Sequence, residues 1–388
     1  MNLTIHPRPL RGTVRAIPSK SQAHRYLICA ALSGNETQLT CPEAGSDVAA
    51  TADCLNALGA KIISTADGYH ITPLRQLPTS AVLNCRESSS TLRFLLPIVG
   101  ALGVDAVFHM EGRLPDRPLS PLWEELERMG CSLSRPNRNT LRCSGKLRPG
   151  TYTIDGGVSS QFITGLLFAL SLIPGETSLE ITGNLESQPY ISMTKDAMAL
   201  FCAPDYHSPG TLTVEGDWSN TAFWLAANAL GSAVSVTGLN PDSLQGDRAV
   251  AKLLADLQAY TTIDAAQIPD LIPILAVVAG CSKGATFTNI HRLRLKESDR
   301  VATIVHMITA LGGKAEATAH TLTVAGTGFT GGTVDARGDH RIAMAAAIAA
   351  TACTSDVTIL GAEAVSKSYP TFWDVYKKCG GIYEQYIR

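Results

Sequence analysis

No run of apolar residues in this chain is long enough to cross a membrane. The longest, Leu271 to Gly280 and Ala343 to Ala352, reach about half of the ~20 residues that a spanning helix needs. Charge of one sign is also missing: 32 basic residues stand against 34 acidic ones, for a net charge of -2. No global field therefore draws nucleic acid or a membrane surface, and anion specificity has to come from local clusters. Met1 to Ser19 has no continuous apolar stretch, which argues against a signal peptide. The ten cysteines form no C-x-x-C pair, and the nine histidines form neither H-x-x-x-H nor H-E-x-x-H. Zinc and a disulfide framework are both unsupported, and reduced thiols in a cytoplasmic protein are expected. The chain lacks a Walker loop, a strand-linked G-x-G-x-x-G and a G-x-S-x-G elbow. Nucleotide cradling and hydrolase chemistry of that type lose their support.

What is present is repetition. Polar helix starts recur at Lys20-Ser21-Gln22, Ser88-Ser89-Ser90, Ser159-Ser160-Gln161, Asp217-Trp218-Ser219, Pro269-Asp270 and Asp339-His340-Arg341. A second series begins near Ser46-Asp47, Asp116-Arg117, Ser187-Gln188, Gln245-Gly246-Asp247, Glu297-Ser298-Asp299 and Ser366-Lys367-Ser368. The period is roughly 50 to 70 residues. Alternating segments such as Thr151–Ile154, Ala233–Thr237 and Thr321–Val324 read as strands. Six small α/β modules in 388 residues, 45% of them apolar, suit two domains of three modules each. Crossings near Ile17-Pro18 and Val214-Glu215 make 19–214 a continuous domain, with 1–18 and 215–388 forming the other.

Helix N-termini offer unpaired N–H groups and partial positive charge, so Ser159-Ser160-Gln161 has the character of a phosphate or carboxylate site. Simple N-capping is the commoner explanation for any one such serine taken alone. Cations at the junctions of the repeat favour the ligand reading: Lys20, Arg25, Arg93, Arg113, Arg117, Lys296, Arg300, Arg341 and Lys367. Guanidinium forks suit planar carboxylates and phosphates, and lysines act as point charges. The ligands implied are polyanionic. Two acids stand among these cations, Asp270 and Glu297. Asp270 also reads as an N-cap and Glu297 as a first-turn dipole partner, and both remain candidates for acid–base chemistry.

These strings resemble the 5-enolpyruvylshikimate-3-phosphate (EPSP) synthase family over essentially the whole length. The resemblance rests on Ser19-Lys20-Ser21 with Arg25, Asp116-Arg117-Pro118, Asp155 to Phe162, Ser187 to Ile191, Glu215 to Ser219, Ile268-Pro269-Asp270, Arg294 to Arg300, Gly338 to Arg341 and Lys367 to Pro370. It implies an α/β fold of two similar domains, each of three βαβαββ repeats, in an inside-out α/β barrel of the enolpyruvyl transferase type. The domains are hinged by two crossovers and close around the substrates. Carried over residue by residue, it implies that Lys20, Ser21, Arg25, Ser159, Ser160, Gln161, Ser187, Asp270 and Lys296 hold shikimate 3-phosphate. Lys20, Arg117, Gln161, Arg300, Arg341 and Lys367 surround phosphoenolpyruvate. Asp270 is then the base toward the 5-hydroxyl and Glu297 the acid toward the methylene carbon, with Lys20 assisting and His340 a weaker candidate. The same resemblance implies no metal and no cofactor; the balanced charge implies no nucleic-acid or membrane partner, and a monomer is expected.

Three positions depart from the family pattern. Ser89 stands where a glycine is usual, which narrows the space beside phosphoenolpyruvate and predicts weak inhibition by glyphosate. Glu87 replaces an Asn, and Arg292 stands where some members have Asn. Two rival readings differ in class. One is a UDP-N-acetylglucosamine enolpyruvyl transferase, which typically carries a Cys in the loop matching Met110 to Pro118, where this chain has none. The other is a non-catalytic phosphometabolite-binding paralogue, for which keeping both Asp270 and Glu297 has no evident reason.

Overall fold

A computed structural model describes residues 1–386 of the chain. Helix starts follow the caps. The side chains of Ser19, Ser88, Ser159, Asp217 and Asp339 accept from backbone N–H groups in the first turns of helices Lys20–Leu32, Ser89–Leu102, Ser160–Leu170, Trp218–Ala229 and His340–Ala349. Helix ends follow the glycines. Leu58, Met129, Leu311 and Cys379 close their helices, and the glycine after each takes a positive φ that a side chain would resist.

The chain divides into two compact units, Pro18–Val214 and Met1–Ile17 together with the chain from Glu215 onward. Each has its own apolar core. In the first unit, strand Thr211–Thr213 runs parallel to Thr37–Thr40, so the two ends of the segment are tied in one four-stranded sheet. In the second, Asn2–His6 lies antiparallel between Val357–Leu360 and Ile382–Tyr386, and Arg11–Arg15 runs parallel to Ala233–Thr237. Ladder hydrogen bonds thus recruit the N-terminal strands into the C-terminal half.

The expected βαβαββ pattern is not uniform. Strands Ser80–Asn84, Asp105–His109, Thr140–Gly145 and Cys131–Asn137 form a four-stranded sheet in that order, and Thr261–Asp264 to Thr321–Ala325 repeat it. One module of each unit lacks the closing hairpin: Gly150–Asp155 pairs only with Thr177–Thr182, and Ala233–Thr237 only with Arg11–Arg15. The cause is chain length. Leu257 to Tyr260, between helix Val250–Asp256 and strand Thr261–Asp264, is too short for two strands and a turn. After helix Gln188–Leu200 the chain supplies one three-residue strand, which joins the Thr37–Thr40 sheet instead.

One helix contact and one buried helix matter for the site. Helix Ser89–Leu102 packs on Ser160–Leu170 at Gly165, where a Cβ would lie 2.2 Å from the Arg93 carbonyl and 3.0 Å from Pro97. Only glycine permits that approach, which brings Arg93 to the start of the neighbouring helix. Helix Ile272–Cys281 is apolar all round and buried from Ile272 to Gly280, so the polar residues just before it are carried at the edge of the core.

Candidate functional site

In the Pro18–Val214 unit the candidate residues gather at helix N-termini. Ser159 caps helix Ser160–Leu170 by accepting from the Gln161 N–H, and both serines are buried. The Gln161 amide is clamped at both ends. Its Oε1 accepts from Arg93 Nη1 at 2.9 Å and Ser89 Oγ at 3.2 Å, while its Nε2 donates to Ser90 Oγ at 3.0 Å. Arg93 also donates to the Pro118 carbonyl at 2.7 Å, next to Arg117, and lies over the Phe162 ring. Lys20 Nζ is 3.0 Å from Asp47 Oδ2, the acid at the start of helix Ser46–Ala57. Ser187 takes a left-handed conformation before helix Gln188–Leu200 and is buried.

Arg25 is built differently from the expectation of an open ligand fork. Its Nε donates to Thr194 Oγ1, its Nη1 to the Ser21 carbonyl and its Nη2 to Thr164 Oγ1 and the Tyr190 carbonyl. Four of its five N–H bonds cross-link protein, leaving one Nη1 hydrogen for a ligand. Burial pulls the guanidinium down to about 10, still protonated at neutral pH. Behind Lys20, His24 Nδ1 meets Thr51 Oγ1 at 2.7 Å and Thr51 meets Thr91 Oγ1 at 2.7 Å. Burial, with Lys20 and Arg25 nearby, holds this imidazole well below its usual range and therefore neutral.

The other unit holds the acids. Asp270 is not the N-cap: helix Ile272–Cys281 starts after Leu271, which holds that position. Its carboxylate instead faces Arg300 Nη1 at 2.6 Å, Lys296 Nζ at 3.4 Å and Arg341 Nη2 at 3.4 Å. Glu297 precedes helix Arg300–Ala310, whose cap is Asp299, so it is not a first-turn residue either; it pairs with Arg300 Nη2 at 2.7 Å. Arg300 Nε meets Asp339 Oδ2 at 2.8 Å. A guanidinium only 1% exposed thus serves three carboxylates. Burial would raise Asp270, but Arg341, Lys296 and Arg300 outweigh it and hold the group well below the carboxylate range. Burial lowers Lys296 to about 8 against the pull of Asp270, with Arg300 and Arg292 adding to the fall. Burial would lower Arg300 too, yet Asp339, Glu297 and Asp270 raise it well above its ordinary value. Lys367 Nζ donates to the Gly338 carbonyl at 2.7 Å, beside Asp339 and the buried His340.

The candidates therefore divide between the two units. Lys20, Ser21, Arg25, Arg117, Ser159, Ser160, Gln161 and Ser187 belong to one, and Asp270, Lys296, Glu297, Arg300, Arg341 and Lys367 to the other. Sequence reasoning did not identify Asp47, Asp339 or the role of Arg93 as anchor of Gln161. The signal was available, since each stands at a helix start of the repeat. Among the described residues no group of three or more His, Cys, Asp or Glu is placed to hold a metal ion.

Comparison with known proteins identifies the family. The family model for EPSP synthase (3-phosphoshikimate 1-carboxyvinyltransferase) matches residues 5–376. The chain is 37% identical to the 3-phosphoshikimate 1-carboxyvinyltransferase of Clostridium kluyveri, covering 99% of this chain and 98% of that one. It is 36% identical to the same enzyme of Clostridioides difficile, with 99% of each chain covered. Among solved structures, an EPSP synthase from Acinetobacter baumannii superposes with a TM-score of 0.77 at 20% identity, over 99% of this chain and 100% of that one. The enolpyruvyl transferase NikO from Streptomyces tendae gives 0.75 at 18% identity, over 99% and 98%.

Proposed function

We infer the activity of this chain from its family: it belongs to the EPSP synthases, and it transfers the enolpyruvyl group of phosphoenolpyruvate to the 5-hydroxyl of shikimate 3-phosphate, releasing phosphate. The observation that carries this reading is the arrangement of Asp270 and Glu297 around Arg300, with Lys296 and Arg341 on Asp270. Simple anion binding has no need of acids here, because each carboxylate opposes the charge of the cations that would hold the ligand.

In this reading Asp270 takes the proton of the 5-hydroxyl as that oxygen attacks C2 of phosphoenolpyruvate, and Glu297 protonates the methylene carbon. Phosphate then leaves with the proton taken up by Asp270, while Glu297, now ionised, takes a proton back from the methyl group, which restores the double bond. The cations around Asp270 keep it ionised and so weaken it as a base. An arriving trianion competes for Arg300, Arg341 and Lys296, and the basicity of Asp270 rises as they turn away. Binding and base activation are thereby coupled. Arg117, Arg341, Arg300 and Lys367 stabilise charge moving onto the leaving phosphate, with Lys20 assisting proton transfer. Ser159, Ser160, Ser187 and the start of helix Ser160–Leu170 hold the phosphate of shikimate 3-phosphate, with Ser21 and Arg25 beside its ring. Gln161, locked by Ser89, Ser90 and Arg93, is set to touch both substrates. The chain acts in the cytoplasm as a monomer.

The test is phosphate release from phosphoenolpyruvate with shikimate 3-phosphate and, separately, with UDP-N-acetylglucosamine. Release with shikimate 3-phosphate alone is expected. Release with the sugar nucleotide alone would overturn the assignment, and silence with both would leave a binding protein.

A further inference from the structure

Near Asp270 lies a buried acid, Asp247, that the proposed chemistry does not use. Asp247 sits in the turn Gly246–Ala249, and Gln245 fixes that turn to the start of helix Trp218–Ala229. The Gln245 Oε1 accepts from the Trp218 N–H at 3.0 Å, and its Nε2 donates to the Gly216 carbonyl at 2.8 Å. Asp247 is 2% exposed. Ser219 Oγ donates to its Oδ2, while its Oδ1 has no hydrogen-bond partner. The Ser219 carbonyl accepts from Arg341 Nη1 at 3.5 Å, and Arg341 Nη2 reaches Asp270 at 3.4 Å. Asp247, Ser219, Arg341 and Asp270 are thus linked in one chain of contacts.

The internal repeat shows what is unusual here. Asp47 and Asp247 both stand at the start of a second helix, and Ser19 and Asp217 both cap the first. After Ser19 comes Lys20, which neutralises Asp47 at 3.0 Å. After Asp217 comes Trp218, whose indole N–H goes to the Asn240 carbonyl, so Asp247 has no lysine. A carboxyl of this kind, dry and half-satisfied, is costly when ionised.

We propose that Asp247 is a positioning residue of the phosphoenolpyruvate half of the site, which takes up a proton when an anion binds at Arg341 and releases it when the anion leaves. This rests on the function inferred above only for the identity of the anion. Ionised, Asp247 adds negative charge behind Arg341 and opposes the ligand; protonated, it withdraws that opposition and offers an O–H to the polar chain. The groups facing it are Asp217 and Ser219 on helix Trp218–Ala229, Arg341 on helix His340–Ala349 and Asp270 before helix Ile272–Cys281. Burial pushes Asp247 up to about 6, Asp270 and Asp217 add to the rise, and Arg341 and Ser219 oppose it. Asp270 starts well below this range and Lys296, at about 8, above it, and Asp247→Asn leaves both in place, so that variant isolates the uptake at Asp247.

The probe is sulfate, which does not titrate in that range. Binding is followed by calorimetry in buffers of different ionisation heat, and proton uptake is read from the difference. The intact protein is expected to take up a fraction of a proton per sulfate at pH 6.5, and Asp247→Asn is expected to lose that uptake. Equal uptake in both proteins would overturn the proposal. Ser219→Ala, which keeps the acid and removes its donor, is expected to move the uptake to higher pH, and an unmoved profile would equally count against it. Parallel turnover assays separate the two readings: sulfate-linked uptake without turnover sinks the activity and keeps this inference, and turnover without an Asp247 effect does the reverse.

Discussion

At the scale of single residues, charge pairing decides most outcomes. Asp270→Asn and Glu297→Gln remove a base and an acid while leaving Lys296, Arg300 and Arg341 in place, so each is expected to lower kcat by about two to four orders of magnitude, the usual range for such groups. Phosphoenolpyruvate should bind no more weakly, since an opposing charge is gone. A selective rise in KM with kcat retained would remove that residue from the chemistry. Ser89 is buried and its hydroxyl belongs to the clamp on Gln161. Ser89→Gly should both open space and loosen Gln161, giving tighter inhibition by glyphosate together with a higher KM for phosphoenolpyruvate. Unchanged inhibition would show that Ser89 does not limit the space. For stability, Asp247 has the opposite sign to a salt-bridged acid. Its folded value, about 6, lies above the unfolded one, so below about pH 4 it is protonated in both states and makes no difference. As pH rises from 4 to 6 the unfolded chain loses the proton first, and stability falls by on the order of 2 to 3 kcal/mol. Asp247→Asn should therefore be more stable than the parent at pH 8 and similar to it at pH 4, as denaturant titration would show. A variant less stable at pH 8 would contradict this.

Among the elements, the contact between helices Ser89–Leu102 and Ser160–Leu170 is the most exacting. Pro97 has no N–H to offer the Arg93 carbonyl, and Gly165 backs directly against that oxygen. Gly165→Ala must push the helices apart, because its Cβ would stand 2.2 Å from the carbonyl. A cost of about 1 to 3 kcal/mol is expected from the overpacking. Arg93 would also retreat from Gln161, so substrate affinity should fall with stability. A variant of parental stability and KM would mean that the helices can separate freely. The repeat made these helices visible through their caps, but which helices touch was not visible, since Gly165 reads in sequence as an ordinary helix-weakening residue. Arg25 teaches the same lesson. Its place one turn after Ser19-Lys20-Ser21 suggests a ligand fork, and only the packed helices show Thr164, Tyr190 and Thr194 arriving to occupy it.

For the whole molecule, connectivity sets the prediction. Pro18–Val214 is continuous, has its own core, and is closed on itself by the pairing of Thr211–Thr213 with Thr37–Thr40. Expressed alone, it is expected to fold and to unfold cooperatively in denaturant, as domains of this size do. The chain from Glu215 onward, expressed without residues 1–17, should not: it would lack the strand between Val357–Leu360 and Ile382–Tyr386 and the partner of Ala233–Thr237. Cooperative folding of that fragment would show that the N-terminal strands are dispensable. The sequence by itself determined the α/β class, the repeat, the helix starts and ends, and the residue types of the site, because caps, glycines and periodic apolar positions act within a few residues of where they stand. Tertiary structure alone decided which strands left to join a distant sheet. It also decided that Asp270 is an ion-pair partner rather than a cap, and that Asp247 has no lysine. Those outcomes depend on which groups meet across the core, and the energy of a charge is set by whatever the fold brings within a few ångströms of it.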